Sequence, residues 1–189
     1  MAIIKLSLEE IAYLGEYPEL IYEEGENVIR GILSFDLRYE DNETIKDKYQ
    51  IEINLGLVSD EGIPIVKETA NRIIGISINK GKKSEDLHLN SSSGEMCIII
   101  PPKAKERYPN GFNLRELLFH LQEHLYWISY YEKYNKPPWK EFGHHDLGYL
   151  ELYLENKEKY AEDCKKYFRC ANRRLFKKKI IQLKKKYNL

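Results

Sequence analysis

Two hydrophobic periods divide the chain. Near its start, Leu8, Ile11, Ala12 and Leu14 recur at helical spacing. Ser7 ahead of Glu9 and Glu10 predicts an N-cap followed by acids at the positive end of the helix dipole. Pro18 and Gly25 interrupt that pattern, so the helix is predicted to end by about Tyr17 and to give way to a looser segment. From Val28 the period becomes two. Leu33, Phe35, Leu37 and Tyr39 fall on one face, with Ser34, Asp36 and Arg38 on the other. A second alternating strand is predicted over residues 49–57 and a third over 63–68, where Pro64 suits a strand start or an edge. A fourth strand is expected over 73–78. Polar turns at Asp41-Asn42-Glu43 and Ser59-Asp60-Glu61-Gly62 separate these runs. One helix followed by successive strands with short turns predicts an α+β fold, an antiparallel meander with helices on one face.

The second half returns to helical spacing. Asn113 caps a predicted helix over 114–135, in which Leu114, Leu117, Leu118, Leu121, Leu125 and Ile128 form a stripe. Pro137 and Pro138 end it. His120 and His124 are one turn apart on this helix, a spacing that suits two metal ligands. The glutamate of the zinc-protease pattern is missing, so they read first as a packed pair. Beyond Trp139, the adjacent His144 and His145 sit in a glycine-flanked segment before another helical pattern at Leu147, Leu150, Leu154 and Tyr160. From residue 165 onward Lys and Arg dominate, with Phe168, Phe176, Ile180 and Leu183 interleaved. That reads first as an amphipathic helix with a solvated basic face; an anionic partner, nucleic acid or a membrane surface are the functional alternatives.

Composition changes this picture only in part. A chain of 189 residues, 42% hydrophobic and 32% charged, suits a compact fold with a sizeable core. Its net charge is zero, which gives no argument for an anionic partner of the whole molecule. Three cysteines, Cys97, Cys164 and Cys170, are too few and too scattered for a disulfide framework and read as free thiols. No basic start followed by an apolar stretch opens the chain, and no run approaches the ~20 apolar residues of a membrane span. The expected location is therefore cytoplasmic. No glycine-rich phosphate loop occurs, and no cofactor or metal is expected.

The candidate chemistry lies between His88 and Pro102: His88-Leu89-Asn90-Ser91-Ser92-Ser93-Gly94-Glu95-Met96-Cys97-Ile98-Ile99-Ile100-Pro101-Pro102. A polar loop delivers one thiol, Cys97, and an apolar run then anchors the loop. A buried, packing cysteine is the plain alternative, because cysteine is among the most buried residue types.

This stretch resembles the active-site segment of ubiquitin-conjugating enzymes, where a His-Pro-Asn tripeptide precedes a glycine and then the catalytic cysteine. Leu89 stands here in place of the proline, and the interval from Asn90 to Cys97 is slightly shorter. A helix, a four-stranded meander, a polar loop and further helices is also that family's chain order. The order around Trp139, His144, Gly148 and Glu151 is similar to that of small bacterial ubiquitin-conjugating-like proteins of antiphage operons. The resemblance implies a ubiquitin-conjugating-like catalytic domain over residues 1–160, with 161–189 as a basic helical extension. It further implies that Cys97 carries the C-terminus of a ubiquitin-like modifier as a thioester, received from an activating enzyme. The modifier then passes to a target amine on a protein such as a nucleotidyltransferase, in bacterial antiviral defence. Asn90 would stabilise the oxyanion, and His88 or His144 would assist the thiol or the attacking amine. The basic C-terminal helix would contact an acidic partner. A catalytically silent binding module, a Cys-His hydrolase built on Cys97 and His144, and a basic adaptor for nucleic acid are the rival readings.

Overall fold

The computed structural model describes residues 3–90 and 92–189, so Ser91 of the candidate loop lies outside the described residues. Among the described residues the protein is α+β, with seven helices and a four-stranded antiparallel sheet. Two compact units form, Met1–Trp139 and Lys140–Leu189.

The first unit opens on α1 (Leu8–Leu14). Ser7 and Glu10 close a reciprocal cap: Glu10 N–H donates to Ser7 Oγ at 3.2 Å, and Ser7 N–H donates to Glu10 Oε2 at 2.8 Å. The sheet follows as β1 (Leu20–Glu23), β2 (Val28–Leu37), β3 (Ile45–Val58) and β4 (Pro64–Glu68), each strand antiparallel to the next. The two-residue period of β2 and β3 is realised as burial. Leu33, Phe35, Tyr49, Ile51, Ile53 and Leu55 are buried, whereas Ser34, Asp36 and Gln50 are exposed. A long helix, which is α4 in chain order (Leu114–Tyr134), packs its stripe into the same core, with Leu117, Leu118, Leu121, Leu125 and Ile128 all fully buried. Each such side chain contributes about 1.5–3 kcal/mol on leaving water. Polar ties fix the helix on the sheet. Ser129 Oγ lies 2.9 Å from Tyr49 Oη and donates to Asp47 Oδ2 at 2.8 Å.

Two strand expectations are corrected. Residues 73–78 are not a strand; they belong to α2 (Arg72–Asn79), and the fourth strand is β1, in the segment read as loose. The isoleucines of 73–78 fit either period. Two tertiary contacts choose the helix. Glu68, at the end of β4 and 1% exposed, accepts from Ala70 N–H at 2.8 Å and Ile73 N–H at 3.3 Å, meeting amides at the helix start that Asn71 does not cap. Arg72 then clamps both oxygens of Asp47 at 2.8 Å and reaches Glu132 at 2.6 Å, tying α2 to β3 and α4. Arg72 and Ser129 hold the Asp47 carboxyl below its usual range against the opposing effect of burial.

Past the candidate loop, Pro101 and Pro102 do more than end an apolar run. They occupy the first turn of α3 (Pro101–Arg107), where a missing N–H leaves no intrahelical bond unmade. The second unit holds α5 (His145–Glu155), α6 (Lys157–Tyr167) and α7 (Arg173–Tyr187). Asn156 and Asn172 cap α6 and α7. Its core includes Leu150, Leu152, Tyr160, Cys164, Phe176, Ile180 and Leu183. No helix among the described residues is long and apolar enough to cross a membrane.

Candidate active site

The loop that carries Cys97 is a small antiparallel clasp seated on the edge of β4. A 3-10 turn over Ser84–Leu87 ends at His88, whose φ of 60° turns the chain back. From there residues on either side of the loop pair. Asn90 N–H donates to Glu95 O at 2.7 Å, and Cys97 N–H donates to His88 O at 2.7 Å, around a Leu89–Met96 bridge. The returning limb also joins the sheet edge: Glu68 N–H donates to Gly94 O and Met96 N–H to Val66 O, each at 2.9 Å. Gly94 has φ 82°, and a β-carbon there would lie 2.1 Å from Glu68 O, so glycine is required by both the turn and the close approach.

Leu89 is 0% exposed and Met96 is 4% exposed, so the clasp is pinned into the core from beneath. Cys97 follows directly and is half-buried, as are Ile98, Ile99 and Ile100. Cys97 therefore sits where the clasp leaves the sheet edge. Cys164 contrasts with it. That thiol is buried, donates to Tyr149 O at 3.2 Å, and is pushed up to about 12 by burial and by Asp163. Cys170 is half-buried, its sulfur 3.6 Å from Phe168 O.

Asn90 is exposed, with its amide nitrogen turned across the clasp to Glu95 Oε1 at 3.1 Å and Met96 O at 3.5 Å. It thus braces the residue just before Cys97. The His88 imidazole is 7% exposed and points into the core, with its ring 5.1 Å from that of His124 and 4.9 Å from that of Trp127, edge-on to both. His88, Asn90 and Cys97 are therefore brought together by backbone pairing, and the histidine reaches the cysteine through its carbonyl. His144 belongs to the second unit. It occupies the N-cap position of α5 without a side-chain capping bond, half-buried, 6.3 Å ring to ring from the exposed His145.

The i, i+4 histidines of α4 serve different neighbours. His124 packs on His88, whereas His120 Nδ1 lies 2.7 Å from the Tyr108 hydroxyl. Glu95 is the residue that sequence reasoning missed. Its role comes from standing opposite Asn90, a register visible only once the two limbs pair. No family model, curated protein or solved structure matches the chain.

Proposed function

We propose that this protein is a ubiquitin-conjugating-like acyl carrier, with a ubiquitin-conjugating-like fold in its first unit and Cys97 as the thioester residue. The observation that carries the reading is the clasp itself: a half-buried cysteine whose backbone N–H donates to His88 O, with Asn90 braced across the loop. The chemistry follows from the thiol. The Cys97 thiolate attacks the thioester carbonyl of a modifier held by its activating enzyme, and that enzyme's thiolate leaves. A target amine then attacks the Cys97 thioester; the amine gives up a proton and the Cys97 thiolate departs. The thiolate is the attacking form, and an ordinary thiol is only a few per cent ionised near neutrality. A rotation of the Asn90 amide away from Glu95 would give it to the oxyanion. A cytoplasmic location, a bacterial antiviral role and a nucleotidyltransferase as target belong to the same reading.

The test is a charging reaction with a ubiquitin-like protein, its activating enzyme and ATP. An adduct that dissolves in excess thiol and is lost in Cys97→Ala is expected. Asn90→Ala is expected to charge normally and to slow transfer to amine about 10²–10³-fold. Native alkylation gives an independent check: Cys97 reacts with iodoacetamide ahead of Cys164 and Cys170. A Cys97 as inert as Cys164 would end the proposal.

The bonds already made by the Asn90 amide favour one second reading, a binding module of the same fold that holds the modifier without transfer. It predicts that Cys97→Ala leaves modifier binding intact while no adduct forms with the parent protein.

A further inference from the structure

The zero net charge of the chain conceals a division. Residues 140–189 carry fourteen Lys and Arg against seven Asp and Glu, and from residue 165 to the end there are eleven cations and no acid. On α7, Arg173, Arg174, Lys177, Lys178, Lys185 and Lys186 are exposed. Among the described residues the one α7 cation with a salt-bridge partner is Lys179, 3.1 Å from Asp146.

At its start this arrangement works against the helix that bears it, whereas Lys184, Lys185 and Lys186 in the last turn complement the helix dipole. Arg173 and Arg174 sit at the positive end of the helix dipole, where the first turn holds no acid. Arg173 with Lys177, and Arg174 with Lys178, are like charges one turn apart. Through its first two turns positive charge is therefore kept at a cost to local stability, which points to an anion that relieves it.

The apolar face of α7 says which kind. A helix that lies in a membrane surface needs that face free to enter the lipid. Here Phe176, Ile180 and Leu183 are buried in the unit's own core. What remains outward is cationic, with Leu175 and Ile181 as separate exposed apolar residues. Protein–protein interface cores are poor in lysine and rich in aromatic residues, the opposite of this surface. Single-stranded nucleic acid is held by stacking on exposed rings, and the rings of α7, Phe176 and Tyr187, are buried and half-buried. Duplex backbone, with a charge every ~1.7 Å along its axis, suits arginine and lysine charges spread over ~20 Å of helix from Arg173 to Lys186.

We infer that the outward face of α7 is a docking surface for the phosphate backbone of a nucleic-acid duplex, without base-specific reading. The test uses the full chain and a short labelled DNA duplex of mixed sequence, followed by fluorescence anisotropy. With about six phosphates neutralised, affinity is expected to fall about 10³-fold between about 50 and 200 mM salt. The variant K177Q/K178Q/K185Q is expected to reduce the slope of log affinity against log salt by about 3. Its melting temperature should change little, because K177Q and K178Q relieve like-charge repulsion while K185Q removes one cation from the favourable end of the helix dipole. Cys97→Ser is expected to bind the duplex like the parent, which separates this surface from the acyl chemistry. Three results would overturn the inference: no binding to the duplex at low salt, an unchanged salt slope in the triple variant, or retention on phosphatidylserine vesicles or polyglutamate without retention on the duplex.

Discussion

Gly94→Ala is expected to destabilise the first unit by about 3 kcal/mol and to detach the Cys97 loop from the sheet. The methyl group would sit 2.1 Å from Glu68 O, a backbone atom in β4 that cannot swing aside. The φ of 82° is itself unfavourable for any residue with a β-carbon. Relief requires the limb to move out, breaking the Glu68 N–H to Gly94 O bond and straining the Met96 N–H to Val66 O bond. Urea unfolding reads the loss of stability. Amide hydrogen exchange reads its place: the Glu68 and Met96 amides speed up by orders of magnitude, whereas those in the centre of β2 and β3 follow only the global change. An unchanged urea midpoint with a protected Glu68 amide would show that the loop does not lie on β4 in this way.

Lowering the pH from 7 to 4.5 is expected to remove most of about 3 kcal/mol contributed by His120. Burial first, and the Arg107 guanidinium second, lower this imidazole from 6.5 to about 4. The folded state therefore prefers the neutral ring, while the unfolded chain takes up a proton below about 6.5. The stabilisation is fully present above that pH and is lost progressively as pH falls through about 4, at about 1.4 kcal/mol per pH unit. The site is built for a neutral ring. The Tyr108 hydroxyl meets Nδ1 at 2.7 Å, and Arg107 is held by Glu123 at 2.7 Å. Urea unfolding at pH 7.5 and 4.5 provides the measurement. His120→Gln should be less stable at pH 7.5 yet lose less on acidification. Equal losses in parent and variant, or an imidazole titrating near 6.5 by NMR, would refute it. Asp47 acts in a lower window: its stabilisation is present above the ordinary carboxylate range and is lost below it.

Much of the first unit was legible in local patterns. Leu33 and Phe35, and Tyr49, Ile51, Ile53 and Leu55, are buried as their two-residue spacing requires. The stripe from Leu114 to Ile128 is one face of α4, which ends at Tyr134 just before Asn135. Such patterns are readable because the side of a strand or helix is set by the backbone's own period. They fail where a run satisfies two periods. Ile73, Ile74, Ile76 and Ile78 read as a strand, but Ile73, Ile76 and Ser77 are the buried residues and Ile78 is 71% exposed, a helical arrangement. Leu20–Glu23 is too short to signal itself and becomes a strand by pairing with β2.

For the candidate site, the sequence by itself determined the chemical inventory: one cysteine leaving a polar loop, with a histidine, an asparagine and a glycine before it. It also determined the cationic density of the C-terminal helix. Tertiary structure alone decided what each group faces. Pairing of the two limbs of the loop set Glu95 against Asn90, packing on α4 turned the His88 ring toward His124 and Trp127, and burial of Phe176, Ile180 and Leu183 left the lysines of α7 outward. The reason is one of range. Composition and periodicity express forces along a few residues of chain, whereas the direction of a side chain in a loop is settled by atoms brought near it from distant positions.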